Sequence, residues 1–198
     1  MRLVFMGTPE FAVPVVEGLY AYGHEILGVV TQRDKPKGRG QKLFPTPVKV
    51  FALTNNLKVF QPVKVREPEF VELLRSLKPE AIVVAAFGQI LPKDILDLPP
   101  LGCINVHASL LPKLRGAAPI NWVLLNGEEK TGITTMLMDE GMDTGPILLQ
   151  REIKIAPDET AGSLHDKLAN LGREVILETL SGLTKRTIAP RTQDNHLA

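Results

Sequence analysis

The sequence predicts an α/β fold, a mostly parallel sheet with helices on both faces. Three features point there. Short apolar runs alternate with stretches of helical periodicity, the pattern of strands joined by crossover helices. Residues 81–86, Ala-Ile-Val-Val-Ala-Ala, form the most apolar run, as a strand buried on both faces requires. A chain of 198 residues can also bury roughly 70% of its exposable surface, enough for one such domain.

The elements follow in order. Residues 3–6 read as the first strand, ended by Gly7, and Thr8-Pro9 reads as a helix N-cap with proline at the first helical position. Pro14 interrupts that pattern, so the helix either restarts near Val13 or kinks there. Residues 26–31 form the second strand. From Gln32 to Thr46 there is no periodicity, and a long loop is expected. Thr46-Pro47 opens a short helix to about Thr54, and residues 58–60 make a small strand. A helix over 69–77 carries Phe70, Leu73, Leu74 and Leu77 on one stripe. Residues 102–107 form a strand bounded by Pro99-Pro100 and Ser109, and a helix over 119–126 ends at Gly127. Residues 132–138 and 147–155 are paired strands around a turn at 139–146. Thr160 opens the last helix, whose Leu164, Leu168, Leu171 and Val175 face the core and which stops near Gly182.

Composition narrows the function. Charges nearly balance at +1, which does not favour a nucleic-acid partner overall but leaves room for a local basic patch. Cys103 is the only cysteine, so no intrachain disulfide can form. No run of about 18 apolar residues is present for a membrane span. The first seven residues are too short an apolar stretch for a signal peptide, and a cytoplasmic protein is expected. His24, His107, His165 and His196 are scattered, none at zinc-like spacing to Cys103 or to one another, so no metal is expected.

Chemistry concentrates in Cys103-Ile104-Asn105-Val106-His107. Side chains alternate along a strand, so Asn105 and His107 face one way while Ile104 and Val106 face the other. An amide beside an imidazole at the C-terminal end of such a strand sits where open α/β sheets bind ligands. His107 alone could equally cap the strand or bind a loop carbonyl. The second element, Met138-Asp139-Glu140-Gly141-Met142-Asp143-Thr144-Gly145-Pro146, packs three carboxylates between glycines, and could by itself be a solvated acidic turn.

Together the two elements suit acyl transfer to an amine. That reaction needs a donor for the developing oxyanion, a group to accept and return a proton, and fixed orientation. Asn105 and protonated His107 can donate to the oxyanion, and Asp143 can hold the imidazolium, directly or through water. The substrate amine is then the nucleophile, and Cys103, two residues further from the loop end, reads as core.

Asn105-Val106-His107-Ala108-Ser109-Leu110-Leu111-Pro112, then Arg115-Gly116, then Asp143-Thr144-Gly145-Pro146 resemble the signature of the folate-dependent formyltransferases, over nearly the whole chain. The resemblance implies the Rossmann-like fold of that family, catalysis by Asn105, His107 and Asp143, and 10-formyltetrahydrofolate as formyl donor. It further implies that Ser109, Leu110, Leu111 and Pro112 contact the folate. Phe87, Gly88, Gln89, Ile90 and Leu91 would add to its pocket with the loop before Asp143, although Phe87–Leu91 can also be read as a plain strand-to-helix turn.

The acceptor is suggested by the long loop. Gln32-Arg33-Asp34-Lys35-Pro36-Lys37-Gly38-Arg39-Gly40-Gln41-Lys42 places cations between Gly and Pro residues, as either a solvated loop or a finger laid along phosphates would. The pattern resembles the loop with which the tRNA-using branch of the family enters the acceptor end of initiator tRNA. It implies initiator methionyl-tRNA as partner, with Lys35, Lys37, Arg39 and Lys42 in contact and Arg39 foremost. Residues 1–183 are then expected to be the catalytic domain of a monomer. Residues 184–198 would start a linker to a C-terminal β-barrel that this chain lacks, with reduced turnover on tRNA as the consequence.

Rival readings are a formyltransferase for a small amine, such as an amino-sugar nucleotide or glycinamide ribonucleotide, a dinucleotide-dependent oxidoreductase or nucleotide-binding module, and a tRNA-binding protein without activity. Proline in Gly7-Thr8-Pro9 argues against a phosphate loop there, and the basic loop argues against a sugar nucleotide. No G-x-G-x-x-G follows a strand, and the catalytic trio is intact.

Overall fold

A computed structural model describes residues 1–37 and 42–198, the side chains of Lys37 and Lys42 excepted. The chain has the expected α/β, Rossmann-like fold, and it divides into two compact units, Met1–Cys103 and Ile104–Ala198.

The first unit comprises β1 (Arg2–Gly7), α1 (Val13–Ala21), β2 (Glu25–Val30), β3 (Lys35–Lys37), β4 (Lys42–Phe44), α2 (Pro47–Thr54), β5 (Val59–Phe60), α3 (Pro68–Leu77), β6 (Ala81–Ala85) and α4 (Lys93–Leu96). Four of its strands run parallel in the order β5-β2-β1-β6, with Leu3 opposite both Ile26 and Ala81. Every residue of β6 is buried, and so is β1 from Leu3 onward, which accounts for their unbroken apolar runs.

Local chemistry departs from expectation in three places. Thr8 is not an N-cap: its Oγ1 donates to Phe87 O at 3.0 Å and accepts from Gln32 N–H at 3.3 Å. A 3-10 turn at Glu10–Ala12 intervenes, and α1 begins at Val13, the restart that Pro14 allowed for, with Pro14 in its first turn, where proline's missing N–H is harmless. The long loop holds an antiparallel hairpin, Lys35 pairing with Phe44 and Lys37 with Lys42. Strands this short carry too few residues for alternation to be read. On α3 the buried stripe is Phe70, Val71 and Leu74, while Leu73 is exposed. A one-turn α4 follows Pro92, the helix into which a strand-to-helix turn at Phe87–Leu91 leads. Thr46 does cap α2, accepting from Lys49 N–H at 3.1 Å, with Pro47 beside it.

The second unit comprises β7 (Cys103–His107) from Ile104 onward, α5 (Pro119–Leu125), β8 (Lys130–Leu137), β9 (Ile147–Lys154) and α6 (Ala161–Lys185). Here the pairing is antiparallel, β7 to β8 across the connection that holds α5, and β8 to β9 across a turn with no helix in it. That turn needs Gly145: a Cβ there would lie 1.8 Å from Leu137 O. Thr160 and Ser163 form a reciprocal capping box at the start of α6. Gly182 does not stop α6. It is buried in the helix because Ile188 packs where its Cβ would stand, 2.3 Å from Ile188 Cδ1, and the helix ends at Arg186 in the left-handed conformation. Leu171 of the expected stripe is only half-buried, and Ala169 and Gly172 complete the buried face.

Candidate active site

Strand alternation delivers the first two groups. Asn105 and His107 lie opposite Met136 and Thr134 on β8, 9% and 7% exposed, while Ile104 and Val106 fill the core on the other side. The turn between β8 and β9 delivers the third, and its carboxylates divide the work. Asp139 Oδ1 shapes the turn, accepting from Gly141 N–H at 3.0 Å and Thr144 Oγ1 at 2.7 Å. Glu140 is exposed. Asp143, at φ +54°, turns inward.

Three groups converge on that one carboxylate. Asn105 Nδ2 donates to Asp143 Oδ1 at 3.2 Å, Gly116 N–H donates to Oδ2 at 2.8 Å, and His107 Nδ1 faces Oδ2 at 3.6 Å. The other ring nitrogen, Nε2–H, donates to Leu114 O at 3.0 Å. This fixes which nitrogen faces the acid: a proton on Nδ1 would sit between imidazole and carboxylate. Leu114 (φ +56°), Gly116 (φ +85°), Ala118 (φ +56°) and Asp143 all hold left-handed backbone in the loops around the trio. Such residues cluster where surrounding contacts over-determine a geometry.

The stretch after β7 is pinned from β8 and β9. Leu111 N–H donates to Thr134 Oγ1 at 3.1 Å, Thr134 Oγ1 donates to Ser109 O at 2.7 Å, and Gln150 Nε2 reaches both Leu111 O and Thr134 Oγ1. Ser109 Oγ donates to Lys113 O at 2.7 Å. Leu111 is buried, whereas Ser109, itself largely buried, lines a cleft of about 320 Å³ with Leu110, Pro112, Lys113, Val123 and Leu197.

With this geometry in hand, the comparison with known proteins is specific. Residues 1–180 match the family model described as formyl transferase. The chain belongs to the formyl transferase family. A methionyl-tRNA formyltransferase of Clostridioides difficile (strain 630) is 60% identical over 196 residues, 99% of this chain and 63% of that relative, so the chain spans less than two thirds of its length. Two solved structures share the fold. Glycinamide ribonucleotide transformylase 1 from Symbiobacterium toebii has a TM-score of 0.78 at 16% identity, covering 98% of this chain and 94% of that one. The N-formyltransferase from Helicobacter canadensis, in complex with folinic acid and dTDP-3-aminofucose, has a TM-score of 0.72 at 20% identity, covering 100% and 69%.

Other sequence-predicted positions of this formyl transferase lie in the first unit. Phe87 and Leu91 are 2% and 3% exposed, so Gly88 (φ +85°) and Ile90 (82% exposed) are the members of that stretch with surface to offer. Gln89 is engaged, accepting from Val65 N–H at 2.9 Å. Lys35 is exposed on β3. Arg39 and the side chains of Lys37 and Lys42 lie outside the described residues. The root of the hairpin is anchored: Asp34 meets Lys49 Nζ at 2.6 Å and Gln61 Nε2 at 2.7 Å, contacts that hold its carboxyl below the usual range.

Cys103 is core, its Sγ donating to Ile95 O at 3.5 Å, and burial pushes the thiol up to about 12. Among the described residues no cluster of His, Cys, Asp and Glu could hold a metal ion, and no helix is long and apolar enough to cross a membrane. Sequence reasoning missed Leu114, Thr134, Gln150 and Gln193. Leu114 acts through a backbone carbonyl that any residue possesses. The others act through partners distant in the chain, and neither kind leaves a local pattern.

Proposed function

We propose that residues 1–183 form the catalytic domain for transfer of a formyl group from 10-formyltetrahydrofolate to the α-amine of initiator methionyl-tRNA, a cytoplasmic reaction. The observation that carries this reading is the convergence of Asn105 and His107 on Asp143 in a chain 60% identical to a methionyl-tRNA formyltransferase.

The amine nitrogen attacks the formyl carbon, a new C–N bond forms, and the bond from that carbon to N10 of the folate breaks. One proton leaves the amine and one arrives on the departing N10. Asn105 has a second amide N–H beyond the one given to Asp143, and it serves as the donor for the oxyanion. His107 handles the proton: its Nε2–H, held by Leu114 O in the resting site, turns to the reacting atoms. Asp143 orients the ring, itself fixed by Gly116. Removing one such donor elsewhere costs about 10²–10³ in rate.

Ser109, Leu110, Leu111 and Pro112 are assigned to the folate together with Phe87, Gly88, Gln89, Ile90 and Leu91. Ile90 supplies the exposed apolar surface, and the pinned backbone of 109–112 supplies rigidity. Lys35, Lys37, Arg39 and Lys42 are assigned to tRNA phosphates, and Lys35 stands on a hairpin whose root is tied to α2 by the Asp34–Lys49 pair.

The test is to supply the chain with 10-formyltetrahydrofolate and, in parallel, methionyl-tRNA, glycinamide ribonucleotide and an amino-sugar nucleotide. Formylmethionyl-tRNA is the expected product. Transfer only to a small amine would move the assignment to that substrate class, and no transfer to any of the three would overturn it.

A further inference from the structure

Outside the trio, the most completely bonded polar side chain of this region belongs to the segment read from sequence as a linker. Beyond α6 the chain returns to the site: Arg191 and Ile147 exchange both backbone hydrogen bonds at 2.8 Å, forming a bridge at the start of β9. Two residues on, Gln193 is 6% exposed. Its Nε2 donates to Asp143 O at 2.8 Å and to Gly145 O at 2.8 Å. Its Oε1 accepts from Arg115 Nε at 3.1 Å and Nη2 at 2.8 Å, and that Nη2 also donates to Asn195 Oδ1 at 2.8 Å. Both amide protons and both lone pairs of Gln193 are therefore in use, and only this orientation of the amide satisfies all four contacts.

We infer that Gln193 is a positioning residue for the reaction, a two-sided clasp that holds the Asp143 turn against the Arg115–Gly116 loop. The two things it joins are the two sides of one catalytic contact. On one side lies the left-handed backbone of Asp143, whose carbonyl takes one proton of Gln193. On the other lies Arg115, adjacent to Gly116, whose N–H fixes Asp143 Oδ2. The clasp thus sets how far Asp143 stands from His107 without touching substrate. A glutamate at 193 would keep the Arg115 half and lose the donor half, because a carboxylate has no proton for the carbonyls of Asp143 and Gly145. The kinetic meaning of the clasp rests on the proposed formyl transfer, but its geometry does not.

The test compares the wild-type chain with Gln193→Ala and Gln193→Glu. Under the clasp, kcat for formyl transfer falls about tenfold or more in both variants, while KM for 10-formyltetrahydrofolate stays within about threefold, since misplacement rather than binding is the defect. Glutamate retaining wild-type kcat, or KM rising with kcat unchanged, overturns the inference. Hydrogen exchange by NMR gives a readout that needs no activity. The Gly116 amide should exchange at least about tenfold faster in both variants, and unchanged exchange overturns the clasp. Should either variant fail to fold, the wild-type chain decides alone: the Gln193 side-chain amide must exchange more slowly than exposed Asn and Gln side chains, and equal rates refute it. A wild-type chain that transfers no formyl to methionyl-tRNA would sink the proposed function while leaving these exchange measurements to judge Gln193.

Discussion

Gly116 presents its backbone N–H to Asp143 Oδ2 at 2.8 Å, the same oxygen that His107 Nδ1 faces at 3.6 Å. One oxygen thus serves a fixed amide and a titratable ring, and the fixed amide decides where the ring finds its partner. Asn105 occupies the other oxygen, so the carboxylate has donors at both. This is the arrangement in which an acid orients an imidazole without having to move during reaction.

Asp143→Asn should therefore disable the site while sparing the fold. An asparagine must turn its NH2 toward either Asn105 Nδ2 or Gly116 N–H, donor against donor, and it no longer carries the charge that His107 faces. The expected result is a loss of kcat of about 10²–10³ with donor binding retained, measured by single-turnover formyl transfer and folate titration. Activity within threefold of wild type would remove Asp143 from the mechanism.

His107→Ala should abolish turnover for a different reason. It deletes the group to which the proposed mechanism gives the proton and leaves Leu114 O without its partner. Less than a few per cent of wild-type kcat is expected, with the folate dissociation constant little changed, because the proposed mechanism gives His107 a part in proton transfer and none in holding the folate. Substantial turnover in the variant would return His107 to the role of a strand cap.

The alternating pattern of β7 and the acidic turn were legible because both are local: period 2 sets which side chains share a face, and glycines mark where a chain reverses. Nothing local showed that Asp139 would fold the turn so that Asp143 could point inward, since the two carboxylates differ only in what they meet in space. Thr8 illustrates the opposite failure. It has the residue type and spacing of an N-cap, yet its hydroxyl was claimed by Phe87, far along the chain. Gln193 lay in a polar tail with no periodicity, and its role exists only once Asp143, Gly145 and Arg115 have been brought together.

Gly145→Ala should damage this geometry through the backbone. The added Cβ would meet Leu137 O at 1.8 Å, and a backbone carbonyl at the end of β8, where Leu137 N–H is held by Pro146 O at 2.9 Å, cannot swing aside as a side-chain tip could. A destabilisation of about 1–3 kcal/mol is expected in urea unfolding. The loss of activity should exceed the loss of folded protein, because the carbonyl of Gly145 also binds Gln193. A variant as stable as wild type would show that the turn relaxes freely.

Cys103 should be inert in the folded chain. Burial, with a smaller contribution from Asp97, raises the thiol to about 12, and only the thiolate is nucleophilic. At pH 8 alkylation by iodoacetamide should proceed only at the rate of unfolding, then run to completion in denaturant. Rapid modification of the native chain, read by mass spectrometry, would show the strand interior to be open.

His24 supplies the pH dependence, and its sign can be worked out. Burial first, then the Met1 ammonium 3.4 Å from Nδ1, hold His24 below its ordinary 6.5, with Glu80 opposing. Its Nε2 is buried without a hydrogen-bond partner among the described residues, and Tyr22 stacks on the ring. The folded value is thus lower than the unfolded one. Between the two the unfolded chain binds more protons, so stability falls as pH drops through about 6.5 toward the folded value. Asp34 works in the other window. Its depressed carboxyl contributes stability that is fully present above about pH 4 and lost only as pH falls further, so it stays constant across the range in question. Urea midpoints measured from pH 7.5 to 5.5 should therefore decline in the wild-type chain and decline less steeply in His24→Gln, which has no proton to bind. Parallel curves for the two would mean that His24 titrates alike in the folded and unfolded states.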